Sequence, residues 1–82
     1  MFNTSNIIQK LMIDKKKTQV EVSRKIGVSA PNLSAKLRNE KEEYKIEYLS
    51  KIAVACGCRI EVNIIDAESD KILYTLTDEE NN

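Results

Sequence analysis

Apolar residues recur at helical spacing through roughly the first two-thirds of this chain and at alternate positions after it. Over residues 4–14 they share one side of a predicted helix, and they comprise Ile7, Ile8, Leu11 and Met12. Thr4 or Ser5 can cap the N-terminus of this helix. The basic run at residues 15–17 ends it. The sequence therefore begins with an amphipathic helix.

A second helix is predicted between Thr18 and Gly27. Thr18 and Glu21 have the three-residue separation of a capping box, in which each side chain accepts a hydrogen bond from the other residue's backbone N–H. Val22 and Ile26 share its apolar face. Gly27 ends the helix because glycine accepts the left-handed conformation common at helix C-termini.

A third helix is predicted over residues 31–39, with Ser29 or Ala30 as its cap. Proline in the first turn costs little, since that N–H has no helical partner. Leu33 and Leu37 are four residues apart and point inward together. Lys36 lies at the border of this apolar stripe. The opposite face is small and weakly charged, and it comprises Pro31, Asn32, Ser34, Ala35 and Arg38.

A fourth helix is predicted over residues 45–56, ended by Gly57. Its apolar face comprises Ile46, Leu49, Ile52, Ala53 and Cys56. Beyond it the apolar residues alternate with polar ones over residues 58–64 and again over residues 71–77, on either side of the turn DAESD. This predicts a β-hairpin whose first strand covers the helical core with Cys58, Ile60, Val62 and Ile64.

These patterns predict an α+β fold that is mostly α, with four helices followed by a C-terminal β-hairpin. The 82 residues, 41% of them apolar, suffice for a single domain with one core. We divide it into a helical core at residues 4–57, the hairpin at 58–77 and an acidic tail at 78–82. No apolar run approaches the roughly 20 residues of a membrane span, and the first residues lack a signal-peptide pattern. We therefore expect a cytoplasmic protein without a membrane partner.

The side chains that commonly support catalysis or metal binding are scarce. The chain has no histidine and two cysteines, Cys56 and Cys58. Two thiols at this spacing cannot complete a tetrahedral zinc site, and a serine or cysteine nucleophile lacks its commonest base. We expect reduced cysteines serving as core residues, no enzymatic activity, no metal or cofactor, and no small-molecule ligand.

Charge is divided unevenly along a chain whose net charge is zero. Residues 10–38 contain eight basic and two acidic residues, for a net charge of +6, whereas residues 39–82 contain five basic and eleven acidic residues, for −6. Such a division favours a basic surface for a polyanion. The alternative is two solvated faces without a partner.

The second and third predicted helices, joined by a turn containing glycine, form a helix-turn-helix pattern, although ordinary helical hairpins share it. The segments TQVEVSRKIGVSAPNLSAKL and YLSKIAVACGCRIEVNII resemble the lambda-repressor-like, Cro-type helix-turn-helix family, also called the xenobiotic-response-element family. The resemblance covers about residues 4–65, and the family includes small bacterial and phage proteins. It implies a four-helix DNA-binding fold. The chain departs from the family at Val22 and Ser23, where Leu-Ala is usual, and at Ala30 and Pro31, where Arg or Gln is frequent.

The resemblance places the third helix in the major groove of double-stranded DNA. This groove is about 12 Å wide, so small side chains allow base edges to come close, while asparagine can pair with adenine. The alternative is that Ser34 and Ala35 pack on a partner helix. The predicted base contacts are Ala30, Pro31, Asn32, Ser34 and Ala35.

Phosphate contacts are predicted around this helix. Thr18 and Gln19 begin the second helix, where backbone N–H groups favour an anion, and in the resembling family the residue matching Gln19 contacts the DNA backbone. The lysines at residues 15–17 either contact DNA or complement the helix dipole. The predicted phosphate contacts are Thr18, Gln19, Ser29, Lys36, Arg38 and Asn39.

The resembling proteins usually bind half-sites about 34 Å apart as dimers, and the hairpin offers an open strand edge for pairing with a second copy. The alternative is a hairpin that is only a lid on the helices of a monomer. The predicted dimer residues are Ile65, Ile72, Leu73, Tyr74, Thr75 and Leu76.

We therefore expect a dimeric transcriptional repressor that binds a palindromic operator. The alternative is a protein-interaction module, such as an antitoxin, whose acidic half docks on a basic protein and whose DNA binding is secondary autoregulation.

Overall fold

A computed structural model of the protein describes residues 3–77, so the predicted acidic tail at residues 78–82 lies outside the described residues. The described residues form α1 (Thr4–Asp14), α2 (Gln19–Ile26), α3 (Ala30–Arg38), α4 (Ile46–Ala55), β1 (Glu61–Ile65) and β2 (Ile72–Thr77). This order confirms the predicted fold class. No helix within residues 3–77 has the length and apolar character needed to cross a membrane.

The helix ends follow local hydrogen bonding. Both halves of the predicted capping box are present at the start of α2, where the Glu21 N–H donates to Thr18 Oγ1 over 3.1 Å and the Thr18 N–H donates to Glu21 Oε1 over 2.9 Å. Gly27 ends α2 in the left-handed conformation, with φ of 81°. Ser29, not Ala30, caps α3 by accepting from the Asn32 N–H.

The N-terminal cap of α1 differs from the prediction. Asn3 caps this helix, because its side-chain oxygen accepts from the Asn6 N–H over 3.2 Å. Thr4 and Ser5, the two predicted caps, are the first residues inside α1. The side chain of Ser5 is thereby free to bond with other segments.

The core lies where the four helices meet. Val22 and Leu33 are fully buried at its centre, and α3 packs against both α1 and α2, while α4 packs against α2. Cys56 is buried and Cys58 half-buried, both as free thiols, and burial raises the pKa of Cys56. The buried cluster comprises Ile8, Met12, Val22, Leu33, Leu37, Ile52, Ala55 and Cys56.

Two apolar residues of the predicted helix faces lie on the surface. Ile7 is 62% exposed and Ile46 is 48% exposed. In α1 the buried residues are Ser5, Ile8 and Met12, so the packed face is rotated away from Ile7. In α4 the buried residues are Ile52, Ala53 and Ala55, so the core contacts the later turns of the helix and leaves Ile46 at its open end.

β1 and β2 form the predicted antiparallel hairpin, with Val62 opposite Leu76 and Ile64 opposite Tyr74. The turn is closed by local bonds, including one from the Glu68 N–H to Asp66 Oδ1 over 2.9 Å. A shift in register between Ile64 and Ile65 marks a bulge.

The predicted cover of the helical core by the first strand is only partial. Cys58 packs against the core and Ile60 and Val62 are half-buried, but Ile64 is exposed. The hairpin therefore extends beyond the helices after Val62, and its far end has no helix beneath it among the described residues.

Candidate nucleic-acid interface

The two faces of α3 divide as the apolar pattern predicts. Leu33 and Leu37 are buried, whereas Pro31, Asn32 and Ala35 are exposed on the other side. Ala30 and Ser34 are half-buried at the margins. The helix thus presents a surface of small side chains, shallow enough for another body to approach its backbone closely.

Asn32 has an amide available for recognition. Its backbone N–H donates to the cap Ser29 over 3.2 Å, but within residues 3–77 its side-chain amide has no hydrogen-bond partner. An exposed amide that carries both a donor and an acceptor can pair with an adenine edge. Asn32 is therefore the side chain of this face best suited to direct base contact.

Arg38 lies along the same face of α3. Its Nη1 donates to Ser34 Oγ over 2.7 Å, one helical turn away. This bond holds the exposed guanidinium beside Ala35. The remaining N–H groups of the guanidinium can grip a phosphate or a base edge in a fixed geometry.

Two residues at the start of α2 differ in whether their polar groups are already hydrogen-bonded. Gln19 is exposed, and its amide has no partner among the described residues. Thr18, by contrast, is engaged with Glu21 on both its hydroxyl and its backbone N–H. These bonds hold the pKa of Glu21 below its ordinary value, with smaller contributions from Lys17 and Lys25. A carboxylate thus already occupies the end of α2 where an anion would bind.

The sequence matches the family described as Cro/C1-type HTH DNA-binding domain over residues 7–61. The chain belongs to this family. Searches of curated proteins and of solved structures found no match. In this Cro/C1-type HTH domain, the helix-turn-helix consists of α2, the turn at Gly27 to Ser29, and α3. The family match confirms the resemblance seen in the sequence.

Lys36 of the Cro/C1-type HTH domain is less accessible than its predicted role requires. Its ammonium lies 2.7 Å from Glu42 Oε2 and 5.1 Å from the centre of the Tyr48 ring. The bond to Glu42 raises the pKa of Lys36 and lowers that of Glu42. Lys36 can reach a phosphate only by sharing or leaving this partner.

Asn39 is similarly engaged. Its side-chain oxygen accepts from the Lys41 N–H over 3.0 Å, and its Nδ2 donates to Glu42 Oε1 over 3.3 Å. Of the predicted phosphate contacts at the end of α3, Arg38 is therefore the one whose charge faces solvent without an acidic partner in the described part of the chain.

Three side chains that the apolar pattern did not mark as functional converge on the last turn of α3. Ser5 and Gln9 of α1 bond to its carbonyl groups, as does Tyr44 from the segment before α4. One sequence feature could have indicated Ser5, since it precedes Ile8 by three residues and so shares its buried face. The contacts of Gln9 and Tyr44 are long-range and have no local pattern.

The predicted dimer residues all lie on the surface of the hairpin. Tyr74 is 70% exposed, and Ile65, Ile72, Leu73, Thr75 and Leu76 are exposed as well. The hydroxyl of Thr75 donates to Asn63 Oδ1 across the strands over 2.9 Å. The hairpin therefore exposes several large apolar side chains to solvent, although Leu76 lines a cavity with Ile46 of α4.

Proposed function

We propose that this Cro/C1-type HTH domain is a transcriptional repressor that binds a palindromic operator as a homodimer and acts by occupying it. The observation that carries the proposal is the exposed face of α3, which is small in the middle and ends in the anchored guanidinium of Arg38. Such a face fits the major groove and suits an ordinary solvated helix less well.

Base recognition is assigned to the exposed face of α3. Asn32 supplies a free amide, and the methyl group of Ala35 can contact a thymine methyl. Pro31 continues the exposed surface towards the start of the helix, with Ala30 and Ser34 at its half-buried margins. We infer that the exposed face of α3 selects bases mainly through its shape and through the hydrogen bonds of the Asn32 amide.

Phosphate contacts are assigned to both sides of this helix, where they fix its register without selecting a sequence. Gln19 supplies a free amide at the start of α2, and Arg38 supplies a charge at the end of α3. Thr18 and Ser29 contribute less directly, because their hydroxyl groups already accept from the Glu21 and Asn32 N–H groups as helix caps. Lys36 and Asn39 contribute less, because both are bonded to Glu42.

The dimer is assigned to the hairpin. A pair of strands is marginal on its own in water, and this one leaves large apolar side chains in solvent on the part that extends past the helices. Exposed apolar patches of this kind mark interaction surfaces. We therefore assign pairing with a second copy to this surface; dimeric helix-turn-helix proteins bind half-sites about one DNA turn apart.

The test is selection of bound duplexes from a random pool, followed by sedimentation of the protein with the selected duplex. We expect two inverted half-sites about 10 base pairs apart, centre to centre, and two chains per duplex. A selected site without inverted symmetry, bound by one chain, would contradict the dimeric part of the proposal. No enrichment of any duplex would contradict the whole of it.

The uncovered hairpin also supports the alternative of a protein-interaction module. Apolar side chains exposed beside an acidic half suit a basic protein partner as well as a second copy. Sedimentation of the protein alone separates the two, because a homodimer forms without any other protein. A chain that remains monomeric at micromolar concentration without another protein favours the interaction module, whose DNA binding would be secondary autoregulation.

A further inference from the structure

The last turn of α3 is held by side chains from outside the helix. Ser5 Oγ lies 3.0 Å from the Lys36 carbonyl oxygen, 2.9 Å from that of Asn39 and 2.7 Å from Tyr44 Oη. Tyr44 Oη in turn lies 3.1 Å from the Lys36 carbonyl oxygen. The final carbonyl groups of a helix lack the usual partner within it. Here the Lys36 and Asn39 carbonyls accept from the Asn39 and Glu42 N–H groups, and the two hydroxyl groups add bonds to α1 and to the segment before α4.

The two hydroxyl protons allow a small set of arrangements. If Tyr44 donates to the Lys36 carbonyl, Ser5 can donate to the same carbonyl, to the Asn39 carbonyl or to Tyr44 Oη. If Tyr44 donates instead to Ser5 Oγ, Ser5 donates to one of the two carbonyls. In every arrangement at least one carbonyl at the end of α3 accepts from this pair and Ser5 takes part in the bonding. Removing the Ser5 hydroxyl therefore leaves at most the single bond from Tyr44 to the Lys36 carbonyl.

Gln9 extends the same contact along α1. Its Nε2 donates to the Leu37 carbonyl, and Gln9 lies one turn after Ser5 on the same helix. Side chains of α1 thus hydrogen-bond to successive carbonyls of α3. Tyr44 links the same turn to the segment before α4. Ser5 is 1% exposed, so its own bonds form away from competing water.

We propose that Ser5 is a positioning residue for base recognition, which it serves by fixing the last turn of α3 through backbone bonds shared with Tyr44. The inference rests on the proposed function, in which the exposed face of α3 contacts bases. Base contacts tolerate displacements of only about 0.5 Å. Flexible phosphate contacts such as that of Gln19 tolerate more. Loss of the Ser5 hydroxyl should therefore reduce discrimination between sequences more than it reduces general DNA affinity.

The structure provides a matched control. Ser23 is also a buried serine, 3% exposed, but its hydroxyl donates to the Val20 carbonyl of its own helix over 3.0 Å. Ser5→Ala and Ser23→Ala each remove one buried hydroxyl. Only the first removes a hydroxyl that lies within hydrogen-bond distance of carbonyl groups at the end of α3.

The experiment measures the full chain on two duplexes of equal length, one selected by the wild-type protein from a random pool and one unrelated. Circular dichroism confirms that each variant is folded at the temperature used. We expect Ser5→Ala to lower affinity for the selected duplex about tenfold, which is comparable to the effect of one mismatched base pair. The same variant should lower affinity for the unrelated duplex by less than about twofold. Ser23→Ala should leave the ratio of the two affinities unchanged.

A second variant keeps the test decisive if Ser5→Ala does not fold. Tyr44→Phe removes only the hydroxyl and retains the ring that packs 6.0 Å from Tyr48, centre to centre. We expect the same direction of change with smaller size, together with faster amide hydrogen exchange at Asn39, whose N–H donates to the Lys36 carbonyl. Ser23→Ala should not change this exchange rate.

The outcomes distinguish failure of the proposed function from failure of the proposed role of Ser5. If the wild-type protein selects no duplex, the proposed function fails, and the role of Ser5 in recognition fails with it. If the wild-type protein selects a duplex and the Ser5 and Ser23 variants lower both affinities by equal factors, the proposed function stands and the inference about Ser5 is overturned. An unchanged affinity ratio in folded Tyr44→Phe would overturn it in the same way.

Discussion

The ammonium of Lys36 lies 2.7 Å from the carboxylate of Glu42, so this lysine is bonded within the protein at the position where a phosphate contact was predicted. Arg38, two residues later, donates instead to the uncharged Ser34. The last turn of α3 therefore carries two cations, of which Lys36 is paired with a carboxylate and Arg38 is not. This difference matters because the salt dependence of DNA binding counts the phosphates neutralised by the protein.

The first prediction follows from this contrast. Arg38→Gln should weaken binding to all duplexes about equally and reduce the slope of log K against log salt by about 0.9. Lys36→Gln should change the slope by less, since Glu42 already balances its charge. Fluorescence anisotropy titrations over a range of salt concentrations measure both slopes. Equal reductions would show that Lys36 leaves Glu42 for a phosphate.

The local features of the fold were predictable because they depend on neighbours in sequence. The capping box of Thr18 and Glu21 and the left-handed Gly27 depend only on residues within a turn of each other. The division of α3 between Leu33 and Ala35 follows from the helical period alone. These features define the helix-turn-helix and the face proposed to contact DNA.

The features that were missed depend on which segments meet. The helical period predicts an apolar stripe on α1 but not its centre, and the close approach of α3 selects small Ser5 for burial and leaves Ile7 exposed. The pairing of Lys36 with Glu42 likewise follows from how the loop after α3 folds back. Hydrogen bonds between distant segments leave no period in a sequence.

The second prediction tests the proposed base-contact face. Ala35→Glu should abolish binding to the selected duplex, because it places a carboxylate against the negative potential of DNA at the centre of the exposed face. The fold should be retained, since Ala35 is exposed opposite the buried Leu33 and Leu37. Thermal unfolding and anisotropy titration measure the two effects.

Val54→Glu is the matched control for this charge change. Val54 is an exposed apolar residue on α4, outside the proposed interface, and the substitution adds the same charge to a helix. It should lower affinity by far less than Ala35→Glu. Comparable losses in the two variants would mean that net charge, and not contact at Ala35, controls binding.

The third prediction concerns acid stability at the start of α2. Hydrogen bonds from Thr18 lower the pKa of Glu21 from its ordinary value of 4.5, so its contribution to stability is present above 4.5 and is lost as pH falls through the lower folded-state value. Glu21→Gln can retain the reciprocal hydrogen bond without titrating. Its stability should therefore fall less than that of the wild-type protein on acidification from pH 5 to pH 3.

Glu47 provides the comparison for this titration. It lies in the first turn of α4, whose N-cap residue makes no side-chain hydrogen bond. Glu47→Gln makes the same chemical change at a site without a capping bond, and the acid dependence of its melting temperature is the baseline for that of Glu21→Gln. If the two variants show the same acid dependence, the capping box does not persist in solution.

The fourth prediction concerns the hairpin as the dimer interface. Tyr74 is opposite Ile64 across the strands, and both side chains are exposed beyond the end of the helices. Tyr74→Glu should leave the melting temperature of the monomeric fold nearly unchanged, because substitutions at exposed positions usually alter stability by less than about 0.5 kcal/mol. It should convert a sedimenting dimer into a monomer, because two carboxylates would be buried in a symmetric interface without partners. Affinity for a full operator should fall steeply, while affinity for a single half-site should be retained.

Val54→Glu, which adds the same charge outside the hairpin, should remain dimeric. A wild-type protein that already sediments as a monomer at micromolar concentration, or a Tyr74→Glu variant that stays dimeric, would place the interface elsewhere and leave the hairpin surface to another protein.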